Sequence, residues 1–202
     1  MALNNNNWFK KYDLMVVSPG GSCQTIVMKL ISDSNKKIKM NNPMDNDNLK
    51  HLSSYENSIF NCSDFGKVIY VYRNPLSVIN SHFRRKWYKM QYKKISAFSD
   101  YNKEHLFDNK NDLFNMCLAE KRDVSNTSQH LDNWIKYPGK IYFIDVSNPN
   151  VKELSEFLGF EVHNLNNIVS NTNYENNQEV IDFFEDIHRE NLTKIMNKNA
   201  SS

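Results

Sequence analysis

KVIYVYRNPLSVINSHFRR, residues 67–85, predicts a buried strand that turns directly into a helix. Its first six residues are mostly β-branched or aromatic, which is typical of a strand. The tripeptide Arg-Asn-Pro then ends the run, and proline suits the first position of a helix, where no N–H donor is needed. Apolar residues at spacings of three and four continue past Phe83 to Trp87 and Met90, which predicts one long helix.

Two further strand-like segments flank this unit. Residues 14–17 (LMVV) precede a Pro-Gly-Gly turn, and residues 140–146 (KIYFIDV) follow a long helical pattern. Strands separated by helices predict an α/β protein with a mostly parallel sheet covered on both faces, a three-layer α/β/α sandwich. The 202 residues suit a single domain, with residues 1–12 and 197–202 predicted to be flexible tails.

The overall composition excludes several classes of protein. Lys and Arg number 25 against 23 Asp and Glu, so a net charge of +2 does not suit a nucleic-acid coat. No stretch approaches the roughly 20 apolar residues that cross a bilayer, and the N-terminus lacks the apolar core of a secretory signal. The three cysteines fit neither a disulfide framework nor a zinc site. We therefore expect a soluble, cytoplasmic protein without a metal.

The turn after the first strand, residues 18–25 (SPGGSCQT), is a candidate phosphate site. Glycines between a parallel strand and a helix allow a tight turn and present N–H groups at the positive end of the helix dipole. Ser22, Gln24 and Thr25 add side-chain donors. The simpler interpretation is a turn in which Pro-Gly only permits the bend. The segment is not a Walker A sequence, because the Gly-Lys-Ser/Thr ending is missing.

Arg73 and Ser81 form a second candidate anion site. Arg73 comes directly after the carboxyl end of a buried strand, which is the place where open α/β sheets bind ligands. Ser81 follows about two helical turns into the next helix, so that a guanidinium and a hydroxyl face one phosphate. The alternative is that Arg73 makes a structural salt bridge and Ser81 is a small packing residue.

Two other segments allow chemical interpretations. The basic and aromatic run RRKWYKMQYKK, residues 84–94, is compatible with a polyanion surface, but such a run is more often a helix with its lysines in solvent. We therefore do not expect a nucleic-acid partner. Cys23, in a turn at the N-terminus of a helix, is a candidate nucleophile, although no His/Asp partner is placed by the sequence.

Taken in order along the chain, these motifs resemble the sulfotransferase superfamily. The glycine turn comes first, then the strand with Tyr72-Arg73-Asn74-Pro75 and Ser81, then a helix–strand–helix segment at residues 131–160 that ends in Phe-Leu-Gly-Phe. The resemblance implies a P-loop NTPase-like fold and the sulfuryl donor 3′-phosphoadenosine 5′-phosphosulfate (PAPS). It covers roughly residues 14–160.

The resemblance also assigns roles to individual residues. It implies that Arg73 and Ser81 bind the 3′-phosphate of PAPS, and that His51 in Leu49-Lys50-His51-Leu52 is the general base, with Lys50 neutralising charge on the transferring group. The alternative for His51 is a surface histidine on an Asn-rich connection. The 5′-phosphosulfate is assigned to the turn, Gly20, Gly21, Ser22, Cys23, Gln24 and Thr25.

The turn departs from the family pattern in one important respect. The family loop usually reads Pro-Lys-Ser-Gly-Thr-Thr, and here Gly20 stands at the lysine position. Either Lys50, Arg84 or Arg85 replaces that cation, or transfer is weak, or the protein only binds the nucleotide. We expect sulfuryl transfer to an acceptor hydroxyl or amine, with a catalytically impaired nucleotide-binding module and an ATP-dependent P-loop kinase as alternatives. The acceptor and the oligomeric state are not determined.

Overall fold

The computed structural model of the chain describes residues 12–57, 65–96, 107–165 and 176–200. The three strands of its sheet are parallel and lie in sequence order, with Val68 paired to both Met15 and Ile141. They are β1 (Leu14–Val17), β2 (Lys67–Tyr72) and β3 (Ile141–Asp145). The predicted parallel sheet is therefore confirmed. Residues 1–11 of the predicted N-terminal tail lie outside the described residues.

Helices cover both faces of this sheet. Leu14 and Val16 of β1 point toward one face, where α1 (Gln24–Ser34) and α6 (Val151–Leu158) pack. Met15 and Val17 point toward the other face, where α5 (Thr127–Ile135) and α7 (Gln178–Ala200) pack. Both faces are buried, so the strands are almost continuously apolar. The three-layer α/β/α arrangement is thus confirmed. The described helices are α1 (Gln24–Ser34), α2 (Pro75–Arg84), α3 (Tyr88–Ile95), α4 (Lys110–Glu120), α5 (Thr127–Ile135), α6 (Val151–Leu158) and α7 (Gln178–Ala200), with a 3-10 turn at Tyr55–Asn57.

Two asparagine side chains close the edges of the sheet. The Asn41 amide accepts a hydrogen bond from the Val16 N–H at 2.8 Å and donates one to the Val16 carbonyl at 2.9 Å. Asn199 makes the same pair of bonds to Phe143 of β3, both at 3.0 Å. On each edge an amide group makes bonds that a neighbouring strand would make, and at the β1 edge Leu14 also pairs with Met40 in an isolated parallel bridge. Both features protect edges that would otherwise pair with other chains. Asn199 belongs to α7, which continues to Ala200. Residues 197–200, which were predicted to be part of a flexible C-terminal tail, are therefore helical.

The helix predicted to run from Pro75 past Met90 is two helices, so that prediction is wrong. Lys86 adopts a left-handed conformation (φ +58°). Its backbone N–H donates to the Phe83 carbonyl, and the Trp87 N–H donates to the His82 carbonyl. These bonds form a Schellman-type helix end, which usually contains glycine. The break rotates α3 and buries Tyr88 and Tyr92 in the core formed with α2, α4 and α7. Trp87 and Met90, which the periodicity placed on the buried face, are instead exposed.

Among the described residues, no helix combines the length and apolarity that crossing a bilayer requires.

Candidate anion-binding cleft beside the first strand–helix turn

The turn between β1 and α1 presents unpaired backbone donors. Gly20, Gly21 and Cys23 have positive φ angles of 86°, 67° and 59°, a conformation that gathers successive N–H groups into an anion-binding concavity. Cys23 provides no side-chain cap for α1. Within the described part of the chain, the N–H groups of residues 21–25 donate no hydrogen bond. The positive end of the α1 dipole is therefore open to an anion.

Buried side chains hold the turn in this shape. The Ser18 hydroxyl donates to Gln24 Oε1 at 2.7 Å and accepts the Gly20 N–H at 3.1 Å. Gln24 Nε2 donates to the Val16 carbonyl at 2.6 Å, and the Ser22 hydroxyl donates to the Gly20 carbonyl at 3.2 Å. The side chains of Ser22 and Gln24, which the sequence suggested as ligand donors, thus bond to the turn itself. Their backbone N–H groups donate no hydrogen bond among the described residues.

Helix α2 packs so closely beneath the turn that a side chain on Gly20 or Gly21 would crowd it. A Cβ atom on Gly21 would lie 3.1 Å from the Val78 carbonyl oxygen, and one on Gly20 would lie 3.1 Å from His82 Nε2. Any side chain would also be strained by the positive φ angles. The two glycines therefore serve both the backbone conformation and the contact with α2.

Arg73 and Ser81 both lie against Gly21. Arg73 donates through Nη1 to the Gly21 carbonyl at 3.1 Å, and the Cβ of Ser81 is 3.3 Å from the position that a Cβ on Gly21 would take. Ser81 is only 1% exposed, and its hydroxyl has no hydrogen-bond partner among the described residues. A buried hydroxyl without a partner is costly to the folded state. Neither residue is among those that line the adjoining cleft.

His51 lies on the other side of the turn. Its Nδ1 is 3.0 Å from the Ser18 carbonyl oxygen, which can only accept, so Nδ1 carries the proton and Nε2 has a free lone pair. Burial lowers the pKa of His51 to about 4. The hydrogen bond to Ser18 acts in the opposite direction, and the positive charge of Lys50 lowers the pKa further. The imidazole is therefore neutral near pH 7 and lines the cleft.

Lys50 reaches the first turn of α1. Its ammonium group donates to Thr25 Oγ1 at 2.6 Å and to the Pro43 carbonyl at 2.7 Å. Burial lowers the pKa of Lys50, against the attraction of Asp45. Of the three cations that could replace a loop lysine, Lys50 and Arg85 line the cleft, whereas Arg84 does not.

The cleft itself has a volume of about 430 Å³. Its charged groups are three cations, Lys50, Arg85 and Lys94, and the carboxylate of Asp45. This carboxylate forms an ion pair with Lys94 and accepts a hydrogen bond from the backbone N–H of Lys50 at 2.9 Å. The sequence offered no reason to select Asp45 and gave Lys94 only as the last residue of the basic run 84–94, because the two come from segments that only the fold brings together. No cluster of metal-ligating side chains occurs among the described residues.

Comparison with known proteins identifies the family of the chain. No curated protein and no solved structure is similar enough to count as a match. The family described as the sulfotransferase domain matches residues 4–194, which span nearly the whole chain and include every cleft residue. The protein, with its glycine turn, His51 and Arg73 arranged around one helix N-terminus, belongs to the sulfotransferase domain family.

Proposed function

We propose that the protein transfers a sulfuryl group from PAPS to an acceptor hydroxyl. The observation that carries this proposal is the meeting of three groups at one cleft: the unpaired N–H groups of the cleft-lining turn residues Gly21 and Cys23–Thr25, His51 with its Nε2 lone pair, and Lys50 with its ammonium group. An anion bound by the N–H groups would lie beside both a base and a cation. This is what the transfer of a negatively charged group to a hydroxyl requires.

The residues present fit such a donor. The N–H groups of the turn, with Lys50 and Thr25, would hold the 5′-phosphosulfate. Arg73 and Ser81 would bind the 3′-phosphate, and the partnerless Ser81 hydroxyl supports this assignment. Arg73 already donates to Gly21, so it would link the two anion sites through the backbone of the turn.

Each catalytic group has a defined task in this proposal. PAPS supplies the sulfuryl group, whose bond to the acceptor oxygen forms as its bond to the 5′-phosphate oxygen breaks. His51 takes the hydroxyl proton at Nε2, while Ser18 orients the ring through Nδ1. Lys50 compensates the charge that develops on the leaving phosphate and so replaces the lysine that the turn lacks.

Two alternatives are separated by one set of titrations. Adenosine 3′,5′-bisphosphate and ATP with Mg²⁺ are each titrated into the protein by calorimetry, and transfer of radiolabelled sulfate from PAPS is then followed across a panel of acceptors. We expect binding of the bisphosphate and measurable transfer. Preference for ATP with Mg²⁺ would support a kinase instead. Bisphosphate binding without any transfer would support a nucleotide-binding module that lacks catalytic activity.

The replacement of Ser81 by alanine tests its assignment. The hydroxyl makes no hydrogen bond within the described structure, so its loss should leave the melting temperature unchanged or raise it by up to about 4 °C. Bisphosphate affinity should fall by about tenfold or more, since a bond to a charged group is lost. Calorimetry and thermal melting measure the two effects.

Ser34→Ala is the matched control for Ser81. The Ser34 hydroxyl donates to the Leu30 carbonyl at 2.8 Å and accepts the His163 N–H at 3.1 Å, far from the cleft. This variant should lose stability and keep its bisphosphate affinity. A Ser81→Ala variant that behaves in the same way would make Ser81 a packing residue.

The pH dependence of transfer follows from the burial of His51. Because burial lowers its pKa to about 4, the base stays neutral in mildly acidic solution. We expect kcat/KM to remain flat from about pH 8 to 5.5 and to fall only as the pH approaches 4. A solvated histidine, with a pKa near 6.5, would already be mostly protonated at about pH 5.5. Melting temperatures recorded at each pH exclude unfolding, and an acid limb near pH 6.5 would argue against this prediction.

A further inference from the structure

The corner where α2 meets α3 carries a concentrated positive charge. Residues 84–94 hold six lysine and arginine side chains and no carboxylate. The rest of the chain keeps 19 of the 25 Lys and Arg against all 23 Asp and Glu, so it is net negative. The small net charge of the protein therefore results from one basic corner on an otherwise acidic chain. Such a separation of charge indicates an anionic partner for the corner.

Most of these cations lie outside the cleft, so the proposed transfer reaction leaves them unexplained. Two of the six line the cavity, and the four that do not are all exposed. Lys89 pairs with Asp108, and the other three form no ion pair within the described part of the chain. The four are Arg84, Lys86, Lys89 and Lys93.

Large apolar side chains lie beside these cations. Among the described residues, five large hydrophobic side chains are exposed, and four of them line the cleft and so form its rim. Trp87 and Met90, which are 47% and 48% exposed, directly follow Lys86 and Lys89 in the chain. Exposed apolar side chains scattered singly need no explanation, whereas a group of them in one place marks a contact surface. The four are Ile26, Met44, Trp87 and Met90.

The helix break at Lys86 places both kinds of side chain on the outer surface. Tyr88 and Tyr92 of α3 are buried in the core, so the positions between them face outward. The Arg85 guanidinium lies 5.3 Å from the centre of the Trp87 ring. An exposed tryptophan among lysines and arginines suits the boundary between lipid headgroups and hydrocarbon, because the ring is buried there while the charged ends reach phosphate groups.

The apolar rim favours a lipid surface over other polyanions. A nucleic acid would pair with the cations and could stack a base on Trp87, but it offers no continuous apolar surface to Met44 and Met90. Phosphate groups held over these exposed side chains would lose water without gaining a partner. An anionic bilayer presents phosphates with hydrocarbon beneath them, so the basic and the apolar side chains both find partners.

We propose that the α2–α3 corner docks the protein on anionic phospholipid membranes. Trp87 and Met90 insert among the headgroups, and Arg84, Lys86 and Lys93 pair with lipid phosphates. Each cation near such a surface contributes about fivefold to the affinity, and salt weakens the attraction. The inference does not depend on the proposed function, because none of these three cations lines the cleft.

The test is co-sedimentation of the full chain with vesicles, either an equal mixture of phosphatidylserine and phosphatidylcholine or phosphatidylcholine alone. We expect binding to the mixed vesicles that falls as NaCl is raised, and much weaker binding to phosphatidylcholine. Arg84→Gln, Lys86→Gln and Lys93→Gln combined should weaken binding about 100-fold. Trp87→Ala should weaken it about tenfold, since buried apolar area contributes to binding at an interface.

Matched variants control for total charge and for folding. Lys36→Gln, Lys37→Gln and Lys140→Gln combined remove the same charge from exposed lysines at the amino end of the sheet, and this variant should bind vesicles almost normally. Met196→Ala alters an exposed methionine outside the cleft and should also bind normally. Trp87→Phe should retain most of the affinity. Bisphosphate affinity should stay the same in both triple variants.

Insertion of Trp87 is measured by fluorescence. Vesicles made with brominated phospholipid should quench the tryptophan emission of the protein. Trp134 is fully buried in the core, so it should contribute little to this quenching. The part of the quenching that is lost in Trp87→Phe reports contact between Trp87 and the lipid.

Four outcomes would overturn the proposal. They are failure to bind the mixed vesicles, equal loss of binding in the two triple variants, normal binding by Trp87→Ala, and quenching that is unchanged in Trp87→Phe. Tighter binding to a short DNA duplex than to the vesicles would assign the corner to nucleic acid instead. Bisphosphate binding is measured without vesicles, so failure of the membrane proposal leaves the proposed function standing, and the reverse also holds.

Discussion

Replacement of His51 by glutamine is expected to lower the single-turnover rate of sulfuryl transfer by at least about 100-fold, the contribution of a positioned general base. Glutamine can still donate to the Ser18 carbonyl, but it has no basic nitrogen to take the acceptor proton. Bisphosphate affinity should remain within about twofold, because the imidazole is neutral and contributes no charge to the anion site. Rapid-quench measurement with radiolabelled PAPS gives the rate, and calorimetry gives the affinity.

His163→Gln is the control for this substitution. His163 is exposed beside Glu161 and lies outside the cleft, so its loss should change neither rate nor affinity. Turnover retained in His51→Gln would remove His51 from the mechanism. Loss of bisphosphate binding together with transfer would show instead that His51 supports the turn, since its ring also holds the Ser18 carbonyl.

Replacement of Arg73 by alanine is expected to weaken bisphosphate binding by about 1.5–3 kcal/mol, which is roughly 10- to 150-fold. Arg73 as a whole is 5% exposed, and its guanidinium would supply paired N–H donors to the 3′-phosphate. Arg73→Lys should recover only part of the affinity, because an ammonium keeps the charge and loses the forked geometry. Titration calorimetry measures both variants.

The stability of the Arg73 variants must be measured in parallel, since Arg73 also holds the Gly21 carbonyl. Arg189→Ala is the matched control: this exposed arginine pairs with Asp186 on α7, and its loss should alter neither quantity much. An effect on binding below about 0.5 kcal/mol, with a large fall in melting temperature, would make Arg73 a structural residue.

Much of the fold could be predicted because it depends on local patterns. β1 and β2 were recognisable as short apolar runs that end at turn residues, and α1 follows the glycines directly. The edges of the sheet could not be predicted. Asn41 and Asn199 occupy positions that a neighbouring strand would take, and nothing in an Asn-rich sequence distinguishes these two from the others.

The break at Lys86 shows the limit of periodicity most clearly. A left-handed residue at a helix end is usually glycine, so a lysine there carries no sequence signal. The cost of that conformation is offset elsewhere, by the burial of Tyr88 and Tyr92 against the helices around them. Trp87 and Met90 were consequently assigned to the core, although they lie at the cleft.

Local sequence was enough to indicate an α/β sandwich, the glycine turn and the family, since strand runs, turns and short motifs depend on neighbouring residues. Tertiary structure alone brought Lys50 to Thr25, aligned His51 with the Ser18 carbonyl and turned Trp87 outward. These contacts join residues up to several tens of positions apart, and their geometry depends on the packing of helices around the sheet. A pattern along the chain carries no information about such packing, which is why candidate residues could be listed from the motifs but their arrangement around one cleft depended on the fold.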